Sequence, residues 1–154
     1  KDRQAVNWAI EKAGIEHLQD QPVGSLSGGQ TQLAWIAMLL AQEPSVVLLD
    51  EPTTYLDLHN QFRVLDLVET LCEENEMTVF IVLHDIAQAS RVADWLIALD
   101  NGSVYDRGPP SAVITEAMMR DVFQMETNVV FGSDGPCIQP LHHIESDDQR
   151  QTDE

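Results

Sequence analysis

The chain has 154 residues, which is enough for one domain with a hydrophobic core of its own. It has 26 Asp and Glu residues against 8 Lys and Arg residues. The resulting formal net charge of −18 argues against a nucleic-acid-binding surface and against a polybasic membrane anchor. The longest apolar run, residues 33–41, is too short to cross a bilayer, so we expect no direct membrane insertion.

Lysine occurs only near the start of the chain, at Lys1 and Lys12. A surface that is acidic and poor in lysine suits a high-salt cytoplasm, because salt screens the repulsion among carboxylates. We therefore hypothesise a halophilic source for this protein.

The first part of the chain predicts two helices. The first is expected over residues 2–18, where apolar residues recur at spacings of three and four and Gly14 offers a stop. The second is expected from Ser27 to about residue 42, because Ser27 and Gln30 form a capping-box pattern.

Two short apolar runs, residues 46–49 and 79–83, predict central parallel strands covered by helices on both faces. Between them we expect a helix over residues 58–74 with an inward face made of Phe62, Leu65, Val68 and Leu71.

The second half of the chain predicts shorter elements. In chain order these are a helix over 86–92, a strand over 95–99, a tight turn at Asn101–Gly102 into a strand over 103–105, a helical stretch over 110–124, and a hairpin pairing 128–131 with 136–139. The alternation of strands and helices predicts an α/β fold.

Chemically capable side chains follow both predicted strands: Asp50 and Glu51 end the first, and His84 ends the second. Open parallel sheets bind ligands at the carboxyl ends of their strands. Asp50 could hold Mg²⁺ through water, Glu51 could orient or deprotonate a water molecule, and His84 could reach a phosphate oxygen. Taken singly, each pattern is also common as an acidic turn or a locally satisfied histidine.

The segment Leu26-Ser-Gly-Gly-Gln30 places two glycines directly after a capping serine. Glycines there leave the backbone N–H groups of a helix start uncovered, which favours an anion. On its own, such a segment is more often an ordinary capped helix.

Together, these motifs resemble the ATP-binding cassette (ABC) ATPases, the motor subunits of ABC transporters. Residues 26–30 match that family's signature motif, residues 46–50 its Walker B strand, Glu51 its catalytic glutamate, residues 54–57 its D-loop, and His84 its switch histidine. Residues 50–59 and 82–91 are similar, more narrowly, to importers of iron(III)-siderophores, haem and cobalamin. Departures from the family pattern occur at Thr31, Leu33 and Tyr55.

The resemblance implies a partial P-loop NTPase cassette fold. It would combine a parallel sheet core covered by helices on both faces, part of a helical subdomain and a C-terminal β-hairpin. We expect the end of the helical subdomain over residues 1–32, the C-terminal part of the ATPase core over 33–141, and an acidic, disordered tail over 142–154. No G-x-x-x-x-G-K-[ST] loop occurs in the sequence. We therefore expect the C-terminal portion of a cassette that is inactive alone, with unpaired edges at the strands over 79–83 and 95–99.

In the family, two cassettes close head to tail over two ATP molecules. By resemblance, Ser27, Gly28, Gly29 and Gln30 would contact the nucleotide of a second ATPase subunit, and Asp57 would couple the two sites. Asp50, as the Mg²⁺ residue, and Glu51 and His84, as catalytic residues, would act on the ATP bound by the same subunit.

The resemblance also implies transmembrane permease subunits as partners. It places the protein in the cytoplasm, peripheral on the inner face of the cell membrane. Two alternatives stay open: a non-transport ABC ATPase of chromosome maintenance or translation, and a truncated, noncatalytic cassette that serves as a docking module. The acidic charge and Gln30 at the end of the signature argue against the first alternative.

Overall fold

A computed structural model describes residues 2–132 and 135–143 of the chain. The chain divides into two compact units, the first ending at His84 and the second beginning at Asp85. Most of the predicted acidic tail, residues 144–154, lies outside the described residues, and so do Ser133 and Asp134 between the two strands of the predicted C-terminal hairpin. In the described part of the chain, no helix is both long enough and apolar enough to span a membrane.

The first unit opens with helix α1 (Asp2–Lys12) and, after two short 3₁₀ turns, helix α2 (Gly28–Leu40). The prediction of a helix through residue 18 is wrong. Gly14 takes a left-handed conformation with φ of +63°, which ends the helix as a C-terminal glycine does. The capping box at Ser27 and Gln30 is confirmed, with Ser27 as the N-cap of α2.

The first unit continues with strand β1 (Val46–Asp50), helix α3 (Leu58–Asn75) and strand β2 (Thr78–Val82). The two strands pair in parallel, with Val46 opposite Thr78 and Asp50 opposite Val82. The predicted parallel orientation is therefore confirmed, but in the described residues both strands lie at the edges of a two-stranded sheet and not at its centre. This register places the carboxyl ends of both strands side by side.

A hydrophobic core joins α1, α2 and α3, and a smaller cluster lies between α3 and the sheet. The fully buried large side chains of this unit are Leu33, Leu40, Val64, Leu65 and Leu71. Residues 64, 68 and 71 follow helical spacing and define the inward face of α3. Phe62 was predicted on that face but is 41% exposed, because it lies on the flank of this stripe.

The β1–β2 sheet packs on α3 through one face only within this unit. Val47 and Leu49 are buried against Val68, whereas Leu48 and Phe80 on the other face are 73% and 57% exposed. The expectation of helices on both faces is thus met on one face in the residues described. Leu48 and Phe80, with Val46 and Val82, form what we call the open sheet face.

The second unit contains three helices and four strands. These are α4 (Ile86–Val92), β3 (Leu96–Asp100), β4 (Ser103–Gly108), α5 (Pro110–Val113), α6 (Glu116–Phe123), β5 (Met125–Gly132) and β6 (Gly135–His143). Asn101 and Gly102 both have positive φ, as a two-residue type I′ hairpin turn requires. The predicted C-terminal hairpin is confirmed in register, with Asn128 opposite Gln139. Strand β6 also includes residues 142 and 143 from the start of the predicted tail.

The single helical stretch predicted over 110–124 is two helices. Thr115 is extended, and its Oγ1 accepts a hydrogen bond from Met118 N at 3.1 Å, which caps a new helix, α6. The break buries Ile114 in a cluster with Met118 and Met119.

The strands form three separate two-stranded sheets in the described residues. Strand β2 pairs there only with β1, and strand β3 only with β4. Each therefore keeps one unpaired edge in the described residues, as the resemblance implies.

Candidate functional site

The carboxyl ends of β1 and β2 bring Glu51 to His84. Asp50 is the last residue of β1, and Glu51 N donates a hydrogen bond to Val82 O at 3.2 Å, which extends the strand pairing by one residue. The Glu51 side chain consequently lies at the end of β2, where His84 follows.

His84 Nε2 lies 2.6 Å from Glu51 Oε1, and Thr54 Oγ1 donates to Glu51 Oε2 at 3.1 Å. Both carboxylate oxygens therefore have a partner. The hydrogen bond from His84 is the main cause that holds the pKa of Glu51 below its usual value of 4.5, and the bond from Thr54 adds to it. The side chains of Glu51 and His84 are 38% and 74% exposed, so an ionised acceptor faces solvent at the strand ends.

The backbone around Glu51 is strained. Glu51 has φ of +46° and Tyr55 has φ of +63°, a region that residues with a Cβ seldom adopt. Between them Pro52 and Thr53 are buried, whereas Tyr55 is fully exposed. Such strain often accompanies functional positions. Neither residue is a glycine or an asparagine, so no residue preference pointed to this conformation beforehand.

Asp50 is exposed at the end of β1. Among the described residues, no group of three or more His, Cys, Asp or Glu side chains is placed to hold a metal ion. Mg²⁺ commonly uses only one or two carboxylates and completes its shell with water and phosphate oxygens. A single aspartate at this position is compatible with that chemistry.

The start of α2 carries the Ser-Gly-Gly-Gln segment. Gln30 N donates to Ser27 Oγ at 3.3 Å, and Ser27 N donates to Gln30 Oε1 at 2.9 Å. The amides of Gly28 and Gly29 lie in the first turn, where a helix supplies no acceptor for them. Gly28 is exposed, but Gly29 is buried.

The start of α3 is organised by Asp57. Its Oδ1 accepts from Asn60 N and its Oδ2 from Asn60 Nδ2, each at 2.9 Å. The backbone hydrogen bond from Asn60 is the main reason that the pKa of Asp57 lies below its usual value of 3.8. Gln61 Nε2 also donates to Leu56 O at 3.0 Å and holds the preceding loop. Sequence reasoning singled out Asp57 but missed Asn60 and Gln61.

The predicted site residues fall into two groups, both in the first unit. The strand-end group consists of Asp50, Glu51 and His84. The helix-start group consists of residues 27–30 and Asp57. Asn60 connects these two parts, because its side chain is hydrogen-bonded to Asp57 and lies directly against Gly29.

Comparison with known proteins agrees with these motifs. A family model described as ABC transporter matches residues 1–54. The chain is 44% identical over 130 residues to the ferric enterobactin transport ATP-binding protein FepC of Escherichia coli strain K12, covering 84% of this chain and 48% of FepC. Over these residues the chain therefore resembles the ABC transporter family. It is also 42% identical over 130 residues to the iron(3+)-hydroxamate import ATP-binding protein FhuC of Bacillus subtilis strain 168, with the same coverage of 84% and 48%.

Solved structures of ABC transporters share the fold. A metal-chelate type ABC transporter in an inward-facing conformation matches with a TM-score of 0.80 and 30% identity, over 90% of this chain and 57% of that one. The protein cbiO1 of Clostridium perfringens, part of the ABC transporter complex cbiONQ, matches with a TM-score of 0.69 and 35% identity, over 76% and 47%. The fold is that of part of an ABC ATPase cassette. The chain spans about half the length of the curated relatives it matches.

Proposed function

We propose that the whole protein binds and hydrolyses ATP as the ATP-binding subunit of an importer for an iron(III)-siderophore or a related chelate. The contact between Glu51 and His84 is the observation that carries this proposal. It joins an ionised carboxylate and an imidazole at adjacent strand ends, where parallel sheets bind ligands.

In this proposal Glu51 and His84 act on the nucleotide held by the same subunit. Glu51 aligns the attacking water through its carboxylate, and His84 donates a hydrogen bond to the terminal phosphate. Positioning the attacking water and accepting its proton are the two roles open to Glu51. The two roles share one requirement, which is an ionised carboxylate at position 51.

Asp50 is the residue that would hold Mg²⁺, through water. The metal would neutralise charge on the phosphate oxygens when bound. The exposed position of Asp50 beside Glu51 supports this assignment.

In this proposal the helix-start group contacts a second nucleotide, which is held by another subunit. Ser27, Gly28, Gly29 and Gln30 would contact ATP bound by a second ATPase subunit, with amides at a helix start facing the γ-phosphate. Asp57 would couple the two sites. Closure and reopening of this homodimer would drive transmembrane permease subunits, which places the protein on the cytoplasmic side of the cell membrane. In this assignment residues 1–32 end the helical subdomain and residues 33–141 form the core.

The names of the relatives support an iron chelate as the transported substrate. FepC is named for ferric enterobactin and FhuC for an iron(3+)-hydroxamate. These are transport proteins, which favours an importer over an ATPase of chromosome maintenance or translation.

The test is Glu51→Gln in the whole protein. We expect ATP hydrolysis to fall by about 10²–10⁴-fold, while binding of ATP is retained, because the amide keeps the size of the side chain but not its charge. Phosphate release measures the first quantity and fluorescence of a labelled ATP analogue the second. Full hydrolysis in this variant would remove Glu51 from the mechanism. Absence of ATP binding by the wild type would overturn the proposed function itself.

A further inference from the structure

Gly29 and Asn60 bring the first turns of α2 and α3 into contact. A Cβ placed on Gly29 would stand 2.6 Å from Asn60 Oδ1 and 2.8 Å from Nδ2, and it would overlap the amide carbon. Real Cβ atoms essentially never approach other atoms so closely. By contrast, a Cβ on Gly28 would meet nothing within 4 Å. The two glycines therefore differ: the second one makes room for Asn60.

The other side of Asn60 is tied to Asp57. Asn60 Nδ2 donates to Asp57 Oδ2 and Asn60 N donates to Asp57 Oδ1, each at 2.9 Å. The second of these bonds fixes the helix start, and the first holds the side-chain amide of Asn60 against Gly29. The Asn60 side chain is partly buried and fills the space between the two helix starts.

We propose that Asn60 is a positioning residue that holds the D-loop aspartate, Asp57, and the signature glycine, Gly29, in one fixed arrangement. The role assigned to Asn60 rests on the proposed function, because it matters for activity only if both helix starts face a nucleotide. A displacement of Asp57 is then transmitted to Gly29 through a single amide group. Asp57 cannot move away from Asn60 without breaking a hydrogen bond, and Gly29 cannot move towards Asn60 without an overlap.

The contact itself is tested by a double-mutant cycle in the whole protein, read as melting temperature. Gly29→Ala should lower the melting temperature by about 3–10 °C, because the added methyl group overlaps Asn60. The same methyl group should cost little in the Asn60→Ala background, where the space is free. Gly28→Ala is the matched control and should show no such loss. An equal cost of Gly29→Ala in both backgrounds would overturn the contact. If Gly29→Ala does not fold, recovery of folded protein on adding Asn60→Ala supports the contact, and no recovery overturns it.

The positioning role is tested by steady-state ATP hydrolysis. Asn60→Ala should lower kcat about tenfold and change KM for ATP by less than about twofold, because the strand-end group is untouched. Asn60→Asp keeps the size but replaces the Nδ2 donor with a second carboxylate beside Asp57, and it should lower kcat as much. Equal kcat values in all three proteins, or a change confined to KM, would overturn the role. A wild type without ATPase activity would instead refute the proposed function, and the melting cycle would still report on the contact.

Discussion

His84 Nε2 lies 2.6 Å from Glu51 Oε1, so residues just beyond the carboxyl ends of two neighbouring parallel strands are joined by a side-chain contact. The strand register explains this contact: Glu51 N continues the pairing to Val82 O and leaves the carboxylate facing the segment that follows β2. The left-handed backbone at Glu51 turns the chain immediately after this point. The first prediction concerns this pair.

We expect the stabilisation from the Glu51–His84 contact to depend on pH. A carboxyl group whose pKa is lower in the folded than in the unfolded state adds stability that is present above the unfolded pKa and lost as the pH falls through the folded pKa. The usual pKa here is 4.5, and that of Glu51 lies below it. Wild type should therefore melt at a higher temperature than His84→Ala at about pH 7, and this difference should shrink below about pH 4.

Thermal melts across that pH range measure the effect. The exposed His17 provides the control, because His17→Ala removes an imidazole that is not among the groups that shift the pKa of Glu51. A melting difference between wild type and His84→Ala that stays constant down to pH values near 3 would show that the contact does not involve an ionised Glu51.

The capping box at Ser27 makes a second prediction. Ser27→Ala removes the acceptor for Gln30 N and should cost about 1 kcal/mol in the free energy of unfolding, whereas Ser27→Asn keeps a capping oxygen and should cost less. Denaturant unfolding gives both values.

Ser27→Arg removes the same capping hydroxyl and also introduces a long, charged side chain. If Ser27 faces the nucleotide of a second subunit, Ser27→Arg should block ATP-dependent dimer formation by the whole protein, and Ser27→Ala should not. Dimer formation is measured by size-exclusion chromatography in the presence of ATP, with both Ser27 variants made in a Glu51→Gln background. Equal dimer formation by the Arg and Ala variants would refute the contact in trans.

Much of the fold could be predicted where one local signal decides the outcome. Ser27 with Gln30 located the start of α2, and the Asn101–Gly102 pair located a hairpin turn, because both depend on neighbours in sequence. The boundary at Thr115 was missed, since apolar spacing continues across it while a side-chain cap starts a new helix. The exposure of one face of the β1–β2 sheet was not predicted either, because an unbroken apolar run does not show what packs on each face of a strand.

The candidate site could also be predicted only in part. Glu51 and His84 were predicted at the same edge of the sheet because parallel strands place their carboxyl ends at one edge. Asn60 was missed because its importance depends on a contact with Gly29, which is distant in sequence and close only after α2 and α3 have packed.

A third prediction concerns salt. With a net charge of −18, the folded chain repels itself, and molar salt reduces the Debye length to about 3 Å. We expect the melting temperature to rise between about 0.1 M and 2 M KCl. Removing charge at exposed carboxylates, as in a combined Asp20→Asn and Glu73→Gln variant, should make the rise smaller. A melting temperature independent of salt would refute both the repulsion and the hypothesis of a halophilic source.

The adjacent residues Leu48 and Leu49 test the open sheet face. Leu49 is 9% exposed and packs towards α3, whereas Leu48 is 73% exposed on the opposite face of the same strand. In the chain of residues 1–154, Leu49→Ala should cost about 2–5 kcal/mol, since it leaves a cavity, and Leu48→Ala should stay within about 0.5 kcal/mol. Denaturant unfolding measures both. Leu48→Ser should also reduce self-association in light scattering, because it interrupts an exposed apolar patch next to the unpaired edge of β2. A loss for Leu48→Ala as large as that for Leu49→Ala would mean that the open sheet face is covered in solution.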